Sequence, residues 1–137
     1  VKPEEVYILD SSALLVYADG MPGKEVVEEV LQKGSRGGGS VEIYMTVADW
    51  GRAYYSRARQ KGEDAARELL QELEKLPLNI VVINRKVAME AAAIMKDYPL
   101  DYADSFACAM ASITDGKLVT ANGALKAVED ILELVWL

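Results

Sequence analysis

Two runs in this chain leave no side for solvent, and they constrain the fold more than any other feature. Val6-Tyr7-Ile8-Leu9 and Ile80-Val81-Val82-Ile83 are apolar throughout. A strand of that kind has to be covered on both faces. Val41 to Thr46 alternates and reads as a further strand, as do Lys117 to Thr120 and Leu134 to Trp136. The stretches between them have helical apolar spacing. Strand and helix in alternation predict an α/β fold: a mostly parallel sheet of about five short strands sandwiched by helices in three layers, α/β/α.

The helical stretches are Ala13–Tyr17 with Ser11 and Ser12 as available caps, Glu25–Gln32, Val47–Gly62, Glu63–Lys75, Lys86–Lys96 and Tyr102–Ile113, with a helical turn or two in Gly123–Asp130. Between the second helix and second strand lies Gly34-Ser35-Arg36-Gly37-Gly38-Gly39-Ser40, where four of seven residues are glycine. Residues 34–40 read as a flexible surface loop, too short to divide the chain, so residues 1–137 form a single domain. The loop's composition also matches an inserted linker, which makes a redesigned chain an alternative.

Length and composition fit one globular domain: 137 residues, about half hydrophobic and a quarter charged. A single cysteine, Cys108, rules out an internal disulfide, and the N-terminal VKPEEVYILD has no signal-peptide pattern. No apolar run approaches the roughly 20 residues of a membrane span. A cytoplasmic protein with no membrane association is expected. The net charge of −7 is the opposite of a nucleic-acid-coating protein. A polyanionic substrate would have to be managed locally, by metal ions or a small basic rim. The absence of histidine removes Ser-His and Cys-His nucleophiles and His-based zinc sites.

In parallel α/β sheets the working site lies at the carboxyl ends of the strands. Asp10, Thr46 and Thr120 fall there, with Asp49 and Arg52 early in the helix after strand two, Asp101 and Asp104 at a helix start, and Asn122 just past strand four. If these converge, the carboxylates need a neutralising cation. Oxygen-only ligands suit magnesium or manganese, which can activate water against a phosphodiester. Each residue also has a plainer role. Asp10 could cap a helix, although Ser11 and Ser12 make a further cap unnecessary. Asp101 could be an N-cap, Asp104 could favour a helix dipole, and Asn122-Gly123 is an ordinary turn pair. Tyr54 and Tyr55 suit core and rim better than base stacking, and Cys108 suits packing.

The order of these segments resembles the PIN domain, in particular the VapC-like toxin ribonucleases of toxin–antitoxin pairs, over essentially the whole chain. Tyr7 to Leu15 is similar to the family's opening strand with its first metal-binding aspartate, Asp10. Met45 to Tyr55 is similar to its second motif, Pro99 to Ala107 to the third with its acid at Asp104, and Lys117 to Asn122 to the fourth. The resemblance implies Mg2+ or Mn2+ held by Asp10 and Asp104, an RNA substrate, an antitoxin partner, and a homodimer formed through the Tyr54-Tyr55 helix. It also marks departures. Arg52 stands where the family usually has glutamate, and Asn122 where it usually has aspartate. Asp49 and Asp101 stand where asparagine and serine are common.

Glu to Arg exchanges a metal ligand for a fixed cation that can pair with Asp10 or Asp104. The family's antitoxins inhibit partly by placing a basic side chain in the acidic pocket, and Arg52 would do the same from within. The expected function is therefore a PIN scaffold with weak or absent metal binding and nuclease activity, with Ser12 and Thr120 supporting the site. One alternative is an active metal-dependent endoribonuclease whose catalytic acids are Asp10 and Asp104, helped by Asp49 or Asp101. Others are an engineered small-molecule binder or catalyst, and an interaction module.

Overall fold

The computed structural model describes residues 2–36 and 38–137. Five strands form one sheet: β1 (Glu5–Leu9), β2 (Val41–Thr46), β3 (Asn79–Val81), β4 (Lys117–Thr120) and β5 (Leu134–Trp136). Their order is β3-β2-β1-β4-β5 and every pairing is parallel. Parallel neighbours require crossovers, and six helices supply most of them: α1 (Ser11–Ala18), α2 (Lys24–Ser35), α3 (Val47–Lys61), α4 (Glu63–Glu74), α5 (Arg85–Asp97) and α6 (Tyr102–Thr114). A 3₁₀ helix, Gly123–Val128, takes the place of the helical turns expected there.

The central strand β1 shows why the run has no polar side. Successive side chains point to opposite faces. Tyr7 and Leu9 enter a core with Leu14, Val27, Ile43 and Leu73, from β2 and helices α1, α2 and α4. Ile8 enters a second core with Ile94, Phe106 and Leu118, from α5, α6 and β4. All three are buried. The three-layer α/β/α expectation therefore holds.

β3 departs from the reading of residues 79–83 as a fully covered strand. It ends at Val81, and Ile80 and Val82 are exposed, Val82 by 74%. The cause is its place at the sheet edge, where it pairs with β2 alone. Residues 81 and 83 still pack against the second core.

The loop reading of residues 34–40 needs correction at its start. Gly34 and Ser35 are the last residues of α2, and Gly37 lies outside the described residues. Gly34 is small because α2 lies close to β2: a Cβ there would stand 2.6 Å from Ile43 Cδ1. Gly38 and Gly39 have φ of 79° and 71°, a left-handed turn into β2 that side-chain-bearing residues seldom adopt. Gly34 thus answers a packing requirement, and Gly38 and Gly39 a backbone one. Gly34→Leu should lower stability by roughly 1–3 kcal/mol through overpacking. An unchanged denaturant midpoint would show that Gly34 carries no packing role.

Candidate functional site

The carboxyl ends of β1, β2 and β4 carry Asp10, Thr46 and Thr120, all buried. Asp10 is itself the N-cap of α1. Its Oδ1 accepts from the Ala13 N–H at 2.9 Å, while Ser11 and Ser12 lie within the helix. The expectation that the two serines would free Asp10 from capping is therefore wrong. A carboxylate at the strand end reaches back over the first turn better than a serine one or two residues later. The capping and site positions coincide.

Asp10 is hydrogen-bonded at both oxygens. Ser12 Oγ donates to its Oδ1 at 2.6 Å and Thr120 Oγ1 donates to its Oδ2. Thr120 Oγ1 in turn accepts from the Asn122 N–H at 2.9 Å, and Ser12 Oγ accepts from the Ala121 N–H at 2.8 Å. Burial pushes the Asp10 carboxyl above its usual range, opposed by the Ser12, Thr120 and Ala13 donors and reinforced by the Asp104 charge.

Asp104 is satisfied from two sides. Arg52 donates through Nη1 to Oδ1 at 2.8 Å, and Asn122 donates through Nδ2 to Oδ2 at 3.1 Å. The second guanidinium nitrogen of Arg52 reaches Asp101 Oδ1 at 3.3 Å. That same oxygen caps α6 by accepting from the Asp104 N–H at 2.8 Å. Asn122 also caps the 3₁₀ helix, its Oδ1 accepting from the Ala124 N–H. The plainer cap and turn roles of Asp101 and Asn122 are thus present together with their place in the cluster. An unbroken chain of hydrogen bonds runs Asp10–Thr120–Asn122–Asp104–Arg52–Asp101.

Asp49 turns to a different task. It lies in the first turn of α3, capped by Thr46, and is 1% exposed. Its Oδ1 accepts from the Ser11 N–H at 3.0 Å and its Oδ2 from Thr46 Oγ1 at 3.4 Å. It fastens α3 to the start of α1. Burial, and then the Asp10 charge, push its carboxyl up to about 7, against the pull of the Ser11 N–H and Arg52. Sequence reasoning missed Ser11 as a partner because that contact spans 38 positions, whereas Thr46, three residues before Asp49, was within local reach as the cap of α3. Partial burial opposes the charge of Arg52, but Asp104, Asp49 and Asp101 outweigh it and hold the guanidinium protonated more firmly than a free arginine. Cys108 is buried and its thiol is pushed up to about 12 by burial and the three nearby aspartates, so it is inert as a nucleophile.

A divalent ion beside Asp104 would share that carboxylate with the Arg52 guanidinium, 2.8 Å from Oδ1, and would be repelled by its fixed charge. Among the described residues no group of three or more acidic, cysteine or histidine side chains is placed to hold a metal. The fixed charge of Arg52 on Asp104, with no group of three acidic ligands among the described residues, works against a Mg2+ or Mn2+ ion here.

A doubly covered parallel sheet with aspartates at the ends of β1 and the following helices defines an α/β protein with an acidic site at the carboxyl edge. The chain belongs to the PIN domain family, whose profile matches residues 7–131. Among solved structures, it is similar to the VapBC2 complex of Rickettsia felis bound to a promoter DNA fragment (TM-score 0.74, 16% identity, covering 95% of this chain and 97% of that one). It is also similar to the toxin–antitoxin complex of Klebsiella pneumoniae (0.67, 19%, 94% and 95%) and to the sarcin–ricin loop cleaving toxin VapC20 of Mycobacterium tuberculosis (0.69, 10%, 89% and 94%). No curated protein sequence matches it. Among the described residues no helix is long and apolar enough to cross a membrane.

Proposed function

We propose that this chain is a PIN-domain protein of the toxin–antitoxin type whose phosphodiesterase site is disabled, leaving weak or no RNA cleavage. The single observation that supports this most is the double occupation of Asp104 by Arg52 and Asn122. In the reading drawn from family resemblance, Asp10 and Asp104 would be the metal ligands. Here Arg52 stands in the cation's place and Asn122 supplies a donor where an acid would supply a ligand. When bound, the family's metal ion activates water and stabilises charge on the phosphodiester. This chain's own residues instead hold one another: Thr120 and Ser12 orient Asp10, and Arg52 and Asn122 orient Asp104. Asp49 and Asp101 serve as a helix fastener and a helix cap.

The role left to such a chain is recognition, through surfaces other than the acidic site. Two neighbours in fold are toxin–antitoxin assemblies, and a partner protein is part of the proposal. A groove of about 250 Å³ between α1, α2 and α4, lined by Tyr17, Lys24, Glu72 and Leu76 beside the buried Leu14, Leu69 and Leu73, offers a mixed polar and apolar surface for a partner helix. A homodimer through the α3 face that bears Tyr55, 60% exposed, belongs to the same reading.

The test is RNA cleavage over a titration of Mg2+ and Mn2+, with Asp10→Asn as the background control. The expected result is cleavage by the parent no faster than by Asp10→Asn. Metal-dependent cleavage by the parent that Asp10→Asn abolishes would instead establish an active endoribonuclease using Asp10 and Asp104.

A further inference from the structure

We infer that Arg52 is the resident cation of this site, a built-in substitute for the divalent ion that ties α3 to α6 and keeps the folded protein independent of metal. The inference rests on the reading of a site whose fixed charge works against a metal, and extends it from activity to architecture.

Three observations carry it. Among the described residues Arg52 supplies the ion pairs that join α3 to α6 and its N-cap, to Asp104 at 2.8 Å and Asp101 at 3.3 Å. The Asp104 side chain is only 7% exposed, so its charge cannot rely on water. The planar guanidinium spans two carboxylates three positions apart at the start of one helix, which a lysine ammonium does poorly because it lacks the fork. Asn122, from the loop after β4, completes the tie by holding the second Asp104 oxygen. Three elements thus meet on one carboxylate, as they would on a metal ion. The difference is that the cation is part of the chain and does not dissociate.

The test is thermal unfolding of the parent, Arg52→Lys and Arg52→Met, each in chelator and in millimolar Mn2+. The parent should melt at the same temperature in both. Arg52→Met leaves Asp104 Oδ1 without its partner and should melt roughly 4–8 °C lower in chelator. Manganese should restore part of that loss, because the aspartates then lack a cation. Arg52→Lys should lose about half as much, and it carries the comparison if Arg52→Met does not accumulate folded.

A parent that gains several degrees with manganese would overturn the inference, as would Arg52 variants that melt with the parent. These melting results are separable from the cleavage assay. A parent that cleaves RNA while its melting still depends on Arg52 sinks the functional proposal alone. Arg52 variants as stable as an inactive parent sink only this inference.

Discussion

Arg52→Glu combined with Asn122→Asp should raise affinity for Mn2+ by about a hundredfold or more over the parent. The double change removes one positive charge from beside Asp104 and adds two negative ones, and it frees both Asp104 oxygens. Repulsion between a guanidinium and a divalent ion about 5 Å away costs several kcal/mol even at an effective dielectric near 20. About 1.4 kcal/mol is already tenfold in affinity, so a hundredfold gain asks for less than that repulsion. Arg52→Ala should gain less, since it removes the repulsion without supplying a ligand. Calorimetric titration of the three proteins with MnCl2 measures this. Tight binding by the parent, or no gain in the double variant, would refute the blocked-site account. Slow metal-dependent RNA cleavage by the double variant is the functional counterpart.

Asp49→Asn should stabilise the protein at pH 8 by on the order of 2 kcal/mol, and the gain should vanish toward pH 4. Asp49 titrates near 3.8 when solvated and about 7 in the fold. Below pH 3.8 folded and unfolded states both hold the proton, so burial of this group costs nothing extra. Between those values the unfolded chain releases the proton while the folded one keeps it, and stability falls as pH rises. Above pH 7 the loss is complete. Asparagine carries no such charge and can still accept from the Ser11 N–H, though less strongly, which trims the gain. Denaturant unfolding of both proteins at pH 4, 6 and 8 provides the measurement. A difference that stays constant across this range would show that the Asp49 carboxylate is not being forced to ionise in a buried place.

The positions of the site were legible in the sequence because they follow from element order. Asp10 ends a strand buried on both sides, and Asp101, Asp104 and Asn122 stand at helix starts or just past a strand. Any parallel sheet of this order brings such residues to one edge. The residue types then raised the right question, since an arginine among aspartates has to pair with one of them. Which one it pairs with was not legible. Asp10 and Asp104 were equal candidates, and only the packing of α3 beside α6 directs the fork to Asp104 and Asp101. Likewise nothing local distinguished Asp49 as a fastener of helices from Asp49 as a catalytic acid. The partner that makes it a fastener, the Ser11 N–H, lies 38 positions away in the chain.

By itself, then, the sequence determined the layers and the family: strands apolar on both faces demand cover on both faces, and apolar periodicity is a local property that survives reading in one dimension. The cap roles of Asp101 and Asn122 were local and legible, but the tertiary structure alone decided which remote partners the polar groups hold. It placed β3 at an edge where Val82 is exposed, brought Ile43 against Gly34, and assigned both oxygens of Asp104 to partners. Hydrogen bonds and ion pairs are set by distances of a few tenths of an ångström between residues remote in sequence, and those distances exist only once the layers have packed.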